Sequence, residues 1–295
     1  MTRHNDTKLY SFCLLYLMVC VVMTWGGCAT HGADNVNGEL SNVEEFIIWH
    51  ENGKMESKTT FKDGVQHGPF TSWNENGQII IKGTHKNDFP HGPLTVWYEN
   101  GQILTKETYK DGVQHGPTIF WYENGQMRTK TTFKDGVEHG PFTAWYENGQ
   151  MKNKGTAKDG EPDGESTWWY ENGQMKEKGT FKDGKPIGLL TNWFDNGQKK
   201  EEMNFKDGRL NGLGTTWYKN GQKEMEGYLK NDKKDGLSTS WYENGNKQLE
   251  TNNKDGELDG VSTVWYDNGQ KKAEVTFKKG KILSEKKWSA NGSTN

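Results

Sequence analysis

Tryptophan returns every 24 residues along this chain, at Trp49, Trp73, Trp97, Trp121, Trp145, Trp169, Trp193, Trp217, Trp241 and Trp265, and a last step of 23 reaches Trp288. A period of that length marks a repeat array, in which each unit leans on its neighbours and function spreads over a surface. Only 31% of the 295 residues are hydrophobic and 37 are glycine, too little apolar volume for a deep spherical core. Burial is therefore expected from aromatic side chains clamped between repeats, at roughly 2–3 kcal/mol per large side chain. A formal charge of −3 supplies no long-range field to gather nucleic acid, so a nucleic-acid partner is not expected.

One unit, Pro141 to Gly164, shows the grammar. Trp145-Tyr146-Glu147 runs into Asn148-Gly149, a basic stretch leads to Asp159-Gly160, and Gly164 closes the unit. Asn-Gly between alternating segments predicts a two-residue type I′ hairpin, because both central residues of that turn need positive φ. Asp-Gly then turns the chain back, as at Asp63-Gly64, Asp111-Gly112, Asp135-Gly136, Asp183-Gly184 and Asp207-Gly208. A further glycine four residues on, such as Gly116 or Gly140, predicts a bulge or a close approach. Pairing across Asn124-Gly125 sets Tyr122 opposite Met127 and Trp121 opposite Arg128. Tyr122, Met127, Phe120 and Phe133 then share one face, and Trp121, Ile119, Lys130 and Thr132 the other. The expected fold is all-β, an elongated single-layer meander of repeated β-hairpins, solenoid-like and on the order of 100 Å long at ~4.8 Å per strand. Turn departures at Asn87-Asp88 and Asn231-Asp232 keep the hairpin spacing and read as turn variants.

These residues resemble the MORN repeat in its bacterial variant, an aromatic pair, x-Asn-Gly-x, a basic strand and Lys-Asp-Gly. The match is plainest from Trp97-Tyr98-Glu99-Asn100-Gly101-Gln102 to Lys110-Asp111-Gly112, and again at Trp121, Trp145 and Trp169. The resemblance implies 24-residue hairpin units whose structural residues include Trp97, Trp121, Trp145 and Trp169 with Gly101, Gly125, Gly149 and Gly173. It also implies scaffold, lipid-facing or protein-binding roles, and for the bacterial variant an antitoxin or immunity role. Residues 46–283 are read as ten such repeats, and 284–295 as a partial repeat and cap.

The N-terminus has another character. Arg3 and Lys8 precede an uncharged run from Ser11 to Trp25, short for a ~20-residue membrane span and shaped like a signal peptide. Its end, Gly26-Gly27-Cys28, resembles the bacterial lipoprotein signal, which implies lipid attachment at Cys28, a leader of 1–28 and a linker of 29–45. Ordinary secretion and an uncleaved anchor are the alternatives. By the same resemblance Ala29 favours the outer membrane, so the expected location is the bacterial cell envelope. No cysteine follows Cys28, which excludes a disulfide framework or a cysteine zinc site in the mature chain.

His67, His91, His115 and His139 occupy one register, yet neighbours two strands apart stand ~10 Å from one another, too far to share a zinc whose ligands lie ~2.0–2.1 Å away. They read as polar turn residues. Carboxylates recur before each Asn-Gly in near-identical settings, whereas acid–base catalysis needs two in contrasted ones. Catalytic residues, metal and cofactor are therefore not expected.

A subtler stripe lies nine residues after each tryptophan, where Lys58, Lys82, Lys106, Lys130, Lys154 and Lys178 give way to Glu202, Glu226, Glu250 and Glu274. Six residues after, Met55, Ile79, Ile103, Met127, Met151 and Met175 give way to Lys199, Lys223, Lys247 and Lys271, with Met203, Met225 and Leu249 expected to restore apolar contact on the same face. Either two blocks each carry their own charge pairs, or one rod carries a basic and an acidic binding surface. The leading functional expectation is a non-enzymatic, lipid-anchored scaffold that binds a protein partner through Tyr98, Tyr122, Tyr146 and Tyr170 with Lys106, Lys130, Lys154 and Lys178. The rival is glycan or cell-wall recognition, because Trp-Tyr-x-x-Asn-Gly-x-Met also resembles choline-binding wall repeats, whose aromatic cages hold a quaternary ammonium.

Overall fold

The computed structural model describes residues 42–293. Residues 1–41, with Cys28, the leader and nearly all of the expected linker, lie outside them. The described chain is one open antiparallel sheet of 26 strands in which each strand pairs with its neighbours in sequence, from Val43–Trp49 to Lys281–Lys287. The all-β meander follows from the hairpin grammar, and no helix occurs among the described residues.

The two turns exchange the roles expected of them. Type I′ geometry sits at Asp-Gly: Asp135 has φ 52° and Gly136 has φ 82°, and the other Asp-Gly turns repeat this. At Asn-Gly only the glycine is left-handed, with φ 84° at Gly125. There the Gly125 N–H donates to the Tyr122 carbonyl at 2.9 Å and the Tyr122 N–H to the Gln126 carbonyl at 2.8 Å, which makes a three-residue loop of type I with a glycine bulge. Asn124 stays out of the left-handed region, and its side chain bonds both within the loop and beyond it. Its Oδ1 accepts from the Gln126 N–H at 2.9 Å, and its Nδ2 donates to the Glu147 carbonyl of the next repeat at 3.1 Å.

The longer loop shifts the register by one. Trp121 pairs with Met127 rather than Arg128, and Arg128 is the extra residue of a bulge before Thr129 meets Phe120. Methionine therefore stands beside tryptophan, and tyrosine belongs to the loop. Beyond the bulge the faces run as expected: Ile119 opposes Lys130, and Phe120, Thr131 and Phe133 fall on the other side. Met203, Met225 and Leu249 do not share the face of Lys199, Lys223 and Lys247. They pair with Leu190, Thr216 and Ser240, on the side away from tryptophan.

Asn87-Asp88 and Asn231-Asp232 adopt both left-handed positions of the type I′ turn without glycine, at φ 52° and 68° and at φ 49° and 67°. Aspartate offsets the strain with a contact glycine cannot make: Asp88 Oδ1 accepts from the Gln66 N–H at 2.7 Å, and Asp232 Oδ1 from the Leu210 N–H at 2.9 Å. The glycine at the end of each repeat also has positive φ; at Gly116 (106°) and Gly140 (109°) it interrupts the strand beside a threonine of the preceding one, whereas at Gly68 and Gly212 the strand runs through it.

Burial departs from the aromatic clamp. The most enclosed side chains are short hydroxyls, Thr105 and Thr118 at 0% exposure and Ser166 at 1%, while the repeating tryptophans from Trp73 onward are half-buried. A single sheet has no second layer to cover its faces, so large side chains lie over small ones and stay partly wet themselves. Strand glycines serve the same packing: a Cβ on Gly155 would lie 2.3 Å from Ser166 Oγ and 2.8 Å from Phe142 Cζ.

Replacing Gly125 by alanine puts an L-residue at φ 84° and a Cβ 2.2 Å from Gln102 Oε1, so the amide must swing away. The expected loss is about 1–2 kcal/mol, read from the midpoint of urea unfolding. Gly125→Asn should cost less, since asparagine tolerates this region better.

Candidate binding face

Tyrosine fastens each repeat to the next. Its hydroxyl donates to the carbonyl at the end of the following strand: Tyr98 to Trp121 at 2.8 Å, Tyr122 to Trp145 at 2.9 Å, Tyr146 to Trp169 and Tyr170 to Trp193 at 2.8 Å. His50 Nε2 takes this place at 3.0 Å from the Trp73 oxygen, and Asn74 and Phe194 leave it out. Burial pushes the four phenols above the usual tyrosine range and keeps them as neutral donors. Arg128 lies over the Tyr122 ring at 5.9 Å, Lys152 over Tyr146 at 5.8 Å and Lys176 over Tyr170 at 5.7 Å. These rings are already engaged within the chain.

The lysine stripe lies on the tryptophan face. Lys82 stands between Thr71 and Thr95, Lys106 between Thr95 and Ile119, Lys130 between Ile119 and Thr143, and Lys154 between Thr143 and Thr167. Two residues before each of these short partners the strand carries Pro69, Pro93, Pro117 or Pro141, whereas the same register holds Glu45 at one end and Glu165 at the other. The consequence is electrostatic. Lys58 pairs with Glu45 at 2.9 Å and Lys178 with Glu165 at 3.3 Å, but among the described residues Lys82, Lys106, Lys130 and Lys154 form no ion pair. Lys106 Nζ lies 6.0 Å from the Trp121 ring.

After Trp193 the stripe neutralises itself. Lys199 binds Glu202 at 2.5 Å, Lys223 binds Glu226, Lys247 binds Glu250 at 2.6 Å and Lys271 binds Glu274 at 2.7 Å. The bulge brings these i, i+3 partners to one face. Each lysine also lies over the next tryptophan, Lys199 at 5.6 Å from Trp217 and Lys247 at 5.4 Å from Trp265. The sign change thus replaces an uncompensated lysine by an internal pair, and no acidic surface opposes the basic one.

The histidine register serves the turns. Nδ1 of His91, His115 and His139 lies 3.2, 3.3 and 3.5 Å from Oδ1 of Asp111, Asp135 and Asp159, each in the next repeat. In later repeats Asp163 and Asp235 accept there from the N–H of the next left-handed aspartate, both at 3.4 Å. Among the described residues no group of histidines, cysteines and carboxylates could hold a metal. The sequence reading missed Glu107. It takes a position given to Gly83, Thr131, Gly155 and Gly179 in other repeats, and it is 4% exposed. Thr105 Oγ1 and the Tyr109 hydroxyl donate to it at 3.1 and 2.5 Å. Its misfit in the repeat register was the available signal. Both oxygens are held by its own strand. The apolar depression at Met203, Leu210, Met225 and Leu229 encloses about 100 Å³, below the ~300 Å³ at which ligand pockets begin. A polar hollow of about 440 Å³ between the turns at Asp207 and Asn231 is open to solvent.

Two substitutions test this geometry. Tyr146→Phe removes the bond to the Trp169 carbonyl and should lower stability by about 1 kcal/mol in urea unfolding, with the Trp169 N–H exchanging faster. Glu138, half-buried where Gln66 and Gln114 stand in other repeats, has its pKa raised by burial. A carboxyl with a raised folded pKa favours folding in its protonated form, and that contribution is lost as pH rises through the folded pKa. Glu138→Gln should therefore stabilise at neutral pH, with the gain shrinking as unfolding is repeated at lower pH.

The pattern of the MORN repeat variant matches nine segments, 45–63, 66–87, 90–111, 114–135, 138–159, 162–183, 186–207, 234–254 and 258–279, together more than half of the chain. The unit between 207 and 234 goes unmatched, yet its strands Arg209–Trp217 and Lys223–Lys230 pair like the others. No curated protein matches. Similar solved structures include the crystal structures of TcdB2-TccC3-Cdc42 and of TcdB2-TccC3, each 10% identical with a TM-score of 0.20, covering 90% of this chain and 18% of that chain. The chain thus spans less than a fifth of the length of those solved chains. By its matched repeats, the chain belongs to the MORN repeat variant family.

Proposed function

We propose that this chain is a non-enzymatic scaffold that binds a protein partner along the tryptophan and lysine face of its N-terminal repeats, tethered to the bacterial cell envelope by a lipid on Cys28. The observation that carries the reading is the run Lys82, Lys106, Lys130, Lys154, four cations on one face that pair with no carboxylate among the described residues. Identical weak contacts repeated along one rigid sheet add by avidity, which suits an extended partner better than a small ligand. Antitoxin or immunity action is the special case in which that partner is a toxin. Recognition of choline or wall glycan through the aromatic column has less support, because Arg128, Lys152 and Lys176 already lie over the tyrosine rings.

Crosslinking in intact cells followed by purification from envelope fractions should recover the chain with one discrete protein, and Cys28→Ser should abolish palmitate labelling and release the chain from the membrane. Recovery of no discrete protein from envelope or soluble fractions would remove the scaffold reading. A change of tryptophan fluorescence with millimolar choline would turn it toward wall recognition.

A further inference from the structure

We propose that the row Lys82, Lys106, Lys130, Lys154 takes an acidic, extended segment of its partner with one carboxylate at every third residue, in polyproline II conformation. The proposal rests on the protein-binding reading above and names the chemistry of the bound segment. Its first support is pitch. Each repeat advances the row by two strands, about 9.6 Å at ~4.8 Å per strand. Polyproline II has three residues per turn and rises ~3.1 Å per residue, so residues three apart lie on one side at about 9.3 Å. Over the three steps from Lys82 to Lys154 the two spacings drift apart by about 1 Å, within the reach of a flexible lysine. A β-strand would present one face every ~6.6 Å and would slip out of step. An α-helix with acids every seventh residue advances about 10.5 Å and overshoots by nearly 3 Å.

Shape is the second support. Adjacent strands rotate by roughly 20–25°, so the row turns by about 40–50° per repeat. A flat lipid surface or a straight helix meets one or two of the lysines, whereas a chain without internal hydrogen bonds can follow all four. The flanks agree: the row runs between half-buried tryptophans on one side and Pro93, Pro117 and Pro141 on the other, with Met127 and Met151 exposed beside the tryptophans. Aromatic-lined grooves are the usual seat of polyproline II segments. Charge is the third. The protein is net acidic, yet this strip holds four cations that pair with no carboxylate among the described residues, and both ends of the strip are closed by a lysine paired with glutamate.

The test is fluorescence anisotropy with the full chain and a fluorescein-labelled peptide of Glu-Pro-Pro triplets at low salt. The peptide should bind and weaken as salt rises, and the Gln-Pro-Pro peptide should not bind. Lys106→Gln with Lys130→Gln should weaken binding about tenfold, while Lys199→Gln with Lys223→Gln in the self-neutralised block should leave it unchanged. Lys106→Glu with Lys130→Glu should lose the Glu-Pro-Pro peptide and gain a Lys-Pro-Pro one, with circular dichroism confirming an intact sheet in each variant. Equal binding by the Lys106→Gln, Lys130→Gln protein would overturn the proposal. So would tighter binding of a peptide with its glutamates in one block, of a helix with acids every seventh residue, or of anionic vesicles. The two readings fail separately: if the Lys106→Gln, Lys130→Gln protein still crosslinks its cellular partner, this row is not the docking face, and protein binding stands on another surface of the scaffold.

Discussion

A sheet one layer thick has no interior, and every repeat must be covered by the repeats on either side of it. That constraint explains which residues are buried. Thr105, Thr118 and Ser166 vanish from solvent because they are short enough to lie beneath larger neighbours in adjacent strands. The tryptophans, on the opposite face, remain half in water. Stability is then a sum of local terms and interfaces between successive units, so it grows with the number of repeats. The interfaces are specified by more than packing. A tyrosine hydroxyl reaches the next tryptophan carbonyl and an asparagine amide reaches the next turn, each pinning the 24-residue step.

Both turns serve that same step by different means. Asp-Gly supplies two left-handed residues and so reverses the chain tightly with the right twist. Asn-Gly supplies only one, which frees the asparagine side chain to bond forward into the next unit. Where glycine is absent from the tight turn, Asp88 and Asp232 accept strain and return a hydrogen bond to the preceding repeat. The turns are therefore part of the lateral glue, and the register of the whole sheet depends on them.

Fold class was legible from period and turn residues alone, since Asn-Gly and Asp-Gly at fixed offsets leave few options beyond a hairpin meander. Register was not. Asn-Gly is compatible with a two-residue or a three-residue loop, and the residue pair alone does not decide between them. One residue of error moved Met127 beside Trp121 and took Tyr122 out of the strand. The stripe of Lys82, Lys106, Lys130 and Lys154 was visible in the sequence, but its charge state was not. Pairing of Lys58 and Lys178 depends on Glu45 and Glu165 facing them across the sheet, a relation that appears only once strands are aligned. Glu107 belongs to no recurring carboxylate register, so the repeat pattern gives it no mark beyond its misfit among glycines and threonine.

The contrast between the two halves of the stripe is not one of stability. Exposed pairs such as Lys247–Glu250 contribute about 0.2–1 kcal/mol each, and an isolated lysine in water costs almost nothing. Folding alone would be indifferent to whether the N-terminal lysines were compensated. Prolines fill the register in which Glu165 closes the row, and a proline there offers no counter-charge while giving the strip a rigid apolar border. Along this stripe the two blocks thus differ in what they present to solvent: one face neutral and self-paired, the other basic and without paired carboxylates among the described residues.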